Sequence, residues 1–376
     1  MRISSIDVYQ VDLPYSGGTY RLSQGRTFDS FDATIVRLTT ECGLTGWGES
    51  TPFGASYIAA HARGVRAGLD ELAPAVLGLD PRLFDRINDA MNRALLGHNH
   101  AKCPLDVACW DIAGKAAGLA VCDLLGGRIE QPVPLISSIP SDTPEAMRAH
   151  VASMRQQGFI GHSVKIGASE AEGGPALDSE RLTACLADRR PGEWFLADAN
   201  GGMVPEQVLR LLNLLPDGLD FVLEAPCASW RETMSVRQRT SIPILLDELV
   251  QTDDDLMTAI AQDACDGVGL KISKQGGLTP SCRQRAIAQA AGLITSIQDT
   301  VGSEIAFAAV LHMAQSTPRN MLRCALDTRS MVEKPIAEFD APVRKGGATS
   351  PNLPGLGVEP DMAKLGEPVA HYGRGV

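Results

Sequence analysis

Eight short apolar runs, rich in β-branched residues and alternating with helical segments, dominate the chain from Val133 onward. They read VPLISSI, SVKIG, WFLADAN, FVLEAP, IPILLDE, GVGLKIS, ITSIQD and MLRCALD. Amphipathic stretches such as Glu145–Gln157, Ser179–Leu186 and Pro205–Leu214 separate them. Eight strand-plus-helix units predict a closed parallel (β/α)₈ barrel of the α/β class. An open doubly wound sheet would carry a Gly-rich phosphate loop after its first strand, and the sequence has none there. The first 128 residues read differently. Strands over residues 3–13, Asp32–Thr39 and Gly46–Glu49 lead into helical spacing of Leu69, Leu72, Ala73 and Val76. This predicts an α+β capping domain over residues 1–128, a barrel over 129–345, and a Gly/Pro-rich segment over 346–376 that packs on the cap. Two loops of the cap, Tyr15–Gly25 and Thr51–Tyr57, follow its first and third strands, and the first reads as too polar and flexible for a core.

Three of the eight runs end in a carboxylate: Asp198, Glu224 and Asp247. A barrel does its chemistry at the C-terminal ends of its strands, so acids placed there converge. One such acid is most often a helix cap; three on consecutive strands are not explained that way. Converging carboxylates repel one another unless a cation lies between them, and hard oxygen ligands suit Mg²⁺. Asn200, two residues beyond Asp198, shares its face and could add an amide oxygen. Glu248, adjacent to Asp247, points elsewhere and reads as a supporting residue.

Lys165 ends the run before Asp198, and Lys271 the run after Asp247. A substrate held at the metal would have one lysine on each face. Lys274 is expected in the following loop. A carboxylate's α-proton is weakly acidic because its removal puts a second negative charge on the same group. A divalent cation stabilises that enediolate, and a lysine near positive charge has a lowered pKa and can act as the base. Asp299 and Asp327 end the seventh and eighth runs. Asp299 could orient Lys271 or substrate, or cap a helix, and Asp327 could hold a substrate ammonium. Tyr20 and Tyr57 could close over the barrel mouth. His98 and His100 resemble a metal pair but lack a third ligand, and read as core or surface residues.

These features, with the helical stretch Cys103–Gly127 (CPLDVACWDIAGKAAGLAVCDLLGG), resemble the mandelate racemase/muconate lactonizing enzyme group of the enolase superfamily over essentially the whole chain. The resemblance implies one Mg²⁺ per subunit on Asp198, Glu224 and Asp247, with Lys165 and Lys271 as the acid/base pair. Ser163 stands where the family often carries a first lysine. RGVRAGLDELAP, GHNHAK, LKISKQGGLT, PGLGVEPD and LGEPVAHY further resemble the enzymes of that group that act on proline derivatives. QDTVGSEI and ALDT incline the resemblance to cis-3-hydroxy-L-proline dehydratases, with proline-derivative or betaine epimerases and muconate-type cycloisomerases as alternatives. Members of that branch carry Trp and Gly where Val301 and Ser303 stand.

A formal net charge of −11 argues against nucleic acid as a partner. Nine cysteines without a CxxC pair suggest reduced thiols, and no apolar run is long enough to span a membrane. The expectation is a cytoplasmic homo-oligomer acting on a small carboxylate.

Overall fold

The computed structural model describes residues 1–373; the last three residues of the expected C-terminal segment lie outside them. Eight parallel strands run in sequence order, and the strand Leu322–Leu326 pairs with Val133–Ile139 to close the barrel. Strand two is Gly161–Lys165, strand three Trp194–Asp198 and strand four Val222–Glu224. Strands five, six and seven are Ile244–Leu246, Gly267–Lys271 and Ile294–Gln298. Their inward residues fill the barrel rather than leaving a pore, with Ile136, Leu196, Leu245 and Cys324 forming one buried cluster. Outward residues such as Val164, Leu223, Val268 and Ile297 join the larger core under the surrounding helices.

The cap contains an antiparallel sheet in which Ile3–Pro14 is flanked by Ser30–Thr40 and by Ala370–Gly373, with Thr45–Ser50 outermost. Helices Ala62–Val76, Phe84–Ala94 and Asn99–Ala117 pack against it, burying Leu69, Leu72, Ala73 and Val76. The chain end therefore serves both parts: Gly347–Ala348 pairs with the first barrel strand, and Ala370–Gly373 with the first strand of the cap.

Asn99–Ala117 is buried on nearly every side, which explains why its sequence lacks a polar stripe. Its polar groups are spent on junctions. Asp106 accepts from Thr279 N at 2.9 Å, and Trp110 Nε1 donates to Thr279 Oγ1 at 2.9 Å, tying cap to barrel. Asp111 accepts from Trp47 N and Leu356 N, tying the cap strand and the C-terminal segment to the same helix. Gly277, at φ 124°, lies where a Cβ would meet Asp106 Oδ2 at 2.4 Å. Only glycine permits both that backbone and that approach.

The Tyr15–Gly25 loop departs from expectation. Tyr20, Leu22 and Ser23 are buried, and Tyr20 and Leu22 belong to the main core. The loop's glycines and serines suggested flexibility, but a large aromatic and a leucine carry enough apolar surface to fix it once a barrel mouth lies beneath.

Candidate active site

Register brings the expected residues together. Lys165 pairs with Asp198, and Asp198 with Glu224, across strands two, three and four. Neighbouring residues in a parallel pair face the same way, so all three point into the mouth. Asp247 follows strand five directly, and Lys271 ends strand six. Lys165, Asp198, Asn200, Glu224 and Lys271 line one cavity of about 50 Å³, closed from the cap side by Tyr20, Leu22, Phe53 and Tyr57. So small a space at the barrel mouth leaves no room for a polymer.

The backbone is bent where the carboxylates emerge. Asn200 has φ 45° and Ala225 φ 41°, both unusual for residues with a Cβ. Gly201 N donates to Ala225 O and Ala199 N to Glu224 O, so the loops after strands three and four brace each other. Local strain of this kind is held in place by its surroundings and aims side chains.

Each lysine is ion-paired: Lys165 Nζ with Asp198 Oδ2, and Lys271 Nζ with Asp247 Oδ2. Burial alone would push both amines down, but the adjacent carboxylate charges outweigh it and hold both well above the usual lysine range. The expected depression of the base's pKa is therefore not a property of the protein alone. Glu224 is the opposite case. Burial and the Asp198 and Asp247 charges drive its carboxyl well above the normal value. Among the described residues no hydrogen bond reaches its carboxylate.

Lys274 is not in a loop. It sits in the short helix Ile272–Gln275, buried, donating to Asp247 Oδ1 at 2.8 Å and to Gly269 O at 3.1 Å. Burial and the neighbouring Lys271 lower its pKa, opposed by Asp247. The spacing of three from Lys271 was the available signal, hidden because ISKQ is too short to show a helical period. Tyr57 reaches this arm from the cap and accepts from Lys271. Its hydroxyl lies 2.6 Å from Lys271 Nζ, with the ammonium 4.9 Å from its ring centroid. Tyr20 Oη lies 2.8 Å from Ser138 Oγ on strand one.

Several residues could hold a divalent cation. Asn200 Nδ2 donates to Asp198 Oδ2 at 3.0 Å and to Glu248 Oε1 at 3.3 Å. Among the described residues that leaves Asn200 Oδ1 and Glu248 Oε2 buried without a hydrogen-bond partner. Glu248 thus lies beside the trio, its carboxyl raised by burial and the Asp247 charge. Orphaned oxygens, a repelled Glu224 and two acids with lysine counterions form a donor set that fits a hard cation. In the arrangement described, Asp198 and Asp247 are drawn onto their lysines, and no three His, Cys, Asp or Glu side chains among the described residues form a closed ligand cage.

Asp299 lines the cavity, but its carboxylate accepts from Ser273 N and Oγ and from Thr300 N. Burial pushes it up to about 6 against those hydrogen bonds. It makes no hydrogen bond to Lys271; it braces the turn after strand six. Asp327 is not brought to the cavity. It caps the turn Thr328–Met331, and Arg329 grips both its oxygens, with Nε at 3.0 Å and Nη2 at 2.9 Å. It lines an adjoining chamber with Arg329 and Lys334, on the far side of Tyr20 and Met331, which border both spaces. Its run ends there, but an acid followed two residues later by arginine closes on that arginine. His98 is exposed, while His100 is buried with Nδ1 3.0 Å from Ser50 Oγ and a pKa pushed down to about 3 by burial and the Lys271 and Lys274 charges. Val301 is fully buried and absent from the cavity lining. Ser303 N donates to Glu49 Oε1 at 3.0 Å, at the start of the helix Glu304–Gln315. Neither residue reaches the cavity wall. Ser138, Gln298 and Thr300 line the cavity and were not singled out in the sequence.

Comparison with known proteins agrees with this geometry. Residues 146–364 match the enolase C-terminal domain-like family, and residues 21–126 the mandelate racemase/muconate lactonizing enzyme N-terminal domain. The chain is 39% identical to a cis-3-hydroxy-L-proline dehydratase of Roseibium aggregatum, covering 99% of this chain and 100% of the relative. An N-succinyl-L-Arg/Lys racemase of Bacillus cereus is 27% identical over 84% of this chain and 85% of its own. A crystal structure from Roseovarius nubinhibens ISM, assigned to the mandelate racemase/muconate lactonizing enzymes and complexed with magnesium, is 65% identical. It superposes with a TM-score of 0.98 over 99% of this chain and 100% of that one. A capped, closed barrel with paired lysines and acids at its mouth, matched by both family domains, makes this chain an enzyme of the mandelate racemase/muconate lactonizing enzyme family of the enolase superfamily.

Proposed function

We propose that the enzyme abstracts the α-proton of a small carboxylate substrate with Mg²⁺ bound, most specifically in the dehydration of cis-3-hydroxy-L-proline or a related proline derivative. The observation that carries this reading is the facing lysine pair, Lys165 and Lys271, with acidic strand ends between them at one small cavity. The 39% identity to a cis-3-hydroxy-L-proline dehydratase over the full length supports the substrate class.

Asp198, Glu224 and Asp247 are the residues that would hold the cation. When bound, it supplies positive charge to offset the second negative charge that develops on the carboxylate as the α-proton leaves. The rest falls to the chain. Engaging Asp198 and Asp247 elsewhere frees each lysine from the charge that keeps it protonated, while burial continues to favour the neutral amine. One lysine then takes the α-proton. In the dehydration the β-carbon–oxygen bond breaks, and the departing hydroxyl takes a proton from an acid on the other side and leaves as water. Tyr20, Leu22, Phe53 and Tyr57 exclude solvent from above.

A racemase or epimerase reading is favoured by the same paired lysines, since the second can return the proton to the opposite face. Because Asp327 is held by Arg329 outside the cavity, it does not argue against a cycloisomerase. We further propose a cytoplasmic homo-oligomer: all nine cysteines are free, and eight are buried or half-buried.

Proton NMR in D₂O with Mg²⁺ tests the reading. Loss of the α-signal of cis-3-hydroxy-L-proline with conversion to a keto or imine product is the expected result, abolished by EDTA and restored by added Mg²⁺. Exchange with the ring intact would replace dehydration by epimerisation. Full activity after exhaustive chelation would overturn the metal.

A further inference from the structure

The mouth of the barrel carries ionic residues on five consecutive strands, and the next strand continues the series with a neutral one. Lys165, Asp198, Glu224, Asp247 and Lys271 come from strands two to six, and the residue that continues them on strand seven is Gln298, paired in register with Lys271. Gln298 lines the same cavity. Its amide is held: Nε2 donates to Ser296 Oγ at 2.8 Å, one step deeper on the same face. Ser296 Oγ in turn lies 3.0 Å from Cys324 Sγ on strand eight, so its hydroxyl hydrogen is available to the sulfur. Pinning one end of a planar amide fixes the other. Among the described residues no hydrogen bond reaches Oε1, and the side chain borders the cavity.

An acceptor that is oriented, uncharged and unused calls for a donor on the ligand. Two donors are chemically available on a small carboxylate: an ammonium and a hydroxyl. The strand beside Gln298 carries the Lys271 ammonium, which repels a second cation, and a neutral amide offers no charge to offset that repulsion. A hydroxyl suffers no such penalty. We propose that Gln298 is the specificity-determining residue for a hydroxyl on the carbon next to the α-carbon, accepting its hydrogen bond through Oε1. This rests on the reading of the enzyme as acting on hydroxylated proline-type carboxylates. It gives a role to the neutral amide that follows the ionic series, and to its bracing from below by Ser296 and Cys324.

The test compares kcat/KM for loss of the α-proton from cis-3-hydroxy-L-proline and from L-proline, by proton NMR in D₂O with Mg²⁺, in the wild-type holoenzyme and in Gln298→Met. Methionine keeps the length and removes the acceptor. The hydroxylated substrate is expected to lose about 10- to 100-fold more than L-proline, the range for one hydrogen bond to a prepared polar group. Ser296→Ala, which keeps Gln298 and removes its brace, is expected to lose the preference in the same direction and to a smaller extent. An equal fall on both substrates would make Gln298 merely structural and overturn the assignment. Unchanged preference would overturn it as well. If the wild type acts on neither compound, the substrate reading falls and this assignment falls with it; retained wild-type preference in the variant overturns the assignment alone.

Discussion

The two lysine arms of the mouth look equivalent on paper and are built differently. Lys165 takes its hydrogen-bonding partner, Asp198, from the barrel itself. Lys271 is gripped from two directions, by Asp247 within the barrel and by the Tyr57 hydroxyl from the cap. The family's customary extra lysine position is Ser163 on the Lys165 arm, while a buried second cation, Lys274, appears on the other arm, bonded to Asp247. Asp247 is held well below the usual carboxylate range: burial opposes ionisation, but Lys271 and Lys274 together outweigh it. One arm is thus fixed by strand register, and the other depends on whether the cap is seated.

Removing the amines tests whether both arms matter to chemistry. Lys165→Ala and Lys271→Ala are each expected to lower α-proton exchange by about 10³-fold, the usual worth of a positioned general base. Turnover intact in either variant would reduce the pair to a single functional lysine.

A second contrast concerns acid. His162, on the Lys165 strand, is buried with its pKa pushed down to about 4, chiefly by burial. A histidine whose folded pKa lies below its unfolded value of about 6.5 costs nothing above that pH. As pH falls from about 6.5 to about 4, the unfolded chain gains the proton first and stability is lost. That loss is on the order of a few kcal/mol for this group. His162→Asn, which keeps an acceptor for Ser137 Oγ, should flatten the melting temperature against pH across that window. An unchanged slope would show that His162 is solvated in the folded state.

Tyr57→Phe addresses the cap's hold on Lys271. Losing a hydrogen bond to a charged amine is expected to cost about 10-fold in a step that uses Lys271, with less effect on one that uses Lys165. Single-turnover exchange from each face of the substrate would separate the two. Equal losses would mean that the cap acts on the whole mouth rather than on one arm. The smallest effect is expected for Tyr20→Phe, which removes the 2.8 Å contact to Ser138. About 1 kcal/mol, read as a several-fold rise in KM with kcat retained, corresponds to one neutral hydrogen bond.

How much of this was legible beforehand varies with the reach of the pattern. The eight runs spelled out the barrel because a parallel strand buried on both faces must be apolar along its length. Asp198, Glu224, Lys165 and Lys271 could be read because each closes its run, so strand position alone aims it. Strand seven shows the limit. Its conspicuous acid, Asp299, lies one residue past the inward position, and a shift of one residue reverses the face. The inward position belongs to the unremarkable Gln298, while Asp299 borders the cavity with its carboxylate taken up by Ser273 and Thr300. Asp327 shows another limit: its distance from the cavity was decided by Arg329, a local partner that captured it.

The sequence by itself determined the barrel, the cap and the acid-and-lysine pattern, because each is encoded by periodicity and by residue type at strand ends. Tertiary structure alone decided which groups touch. Tyr57 meets Lys271 across 214 positions of sequence, and Lys274 reaches Asp247 from a four-residue helix. Among the described residues no donor reaches the Glu224 carboxylate, while its neighbours Asp198 and Asp247 hold lysines. Such contacts depend on distances between elements that no local pattern carries, and at ångström separations in a buried site those distances set the charge on every group.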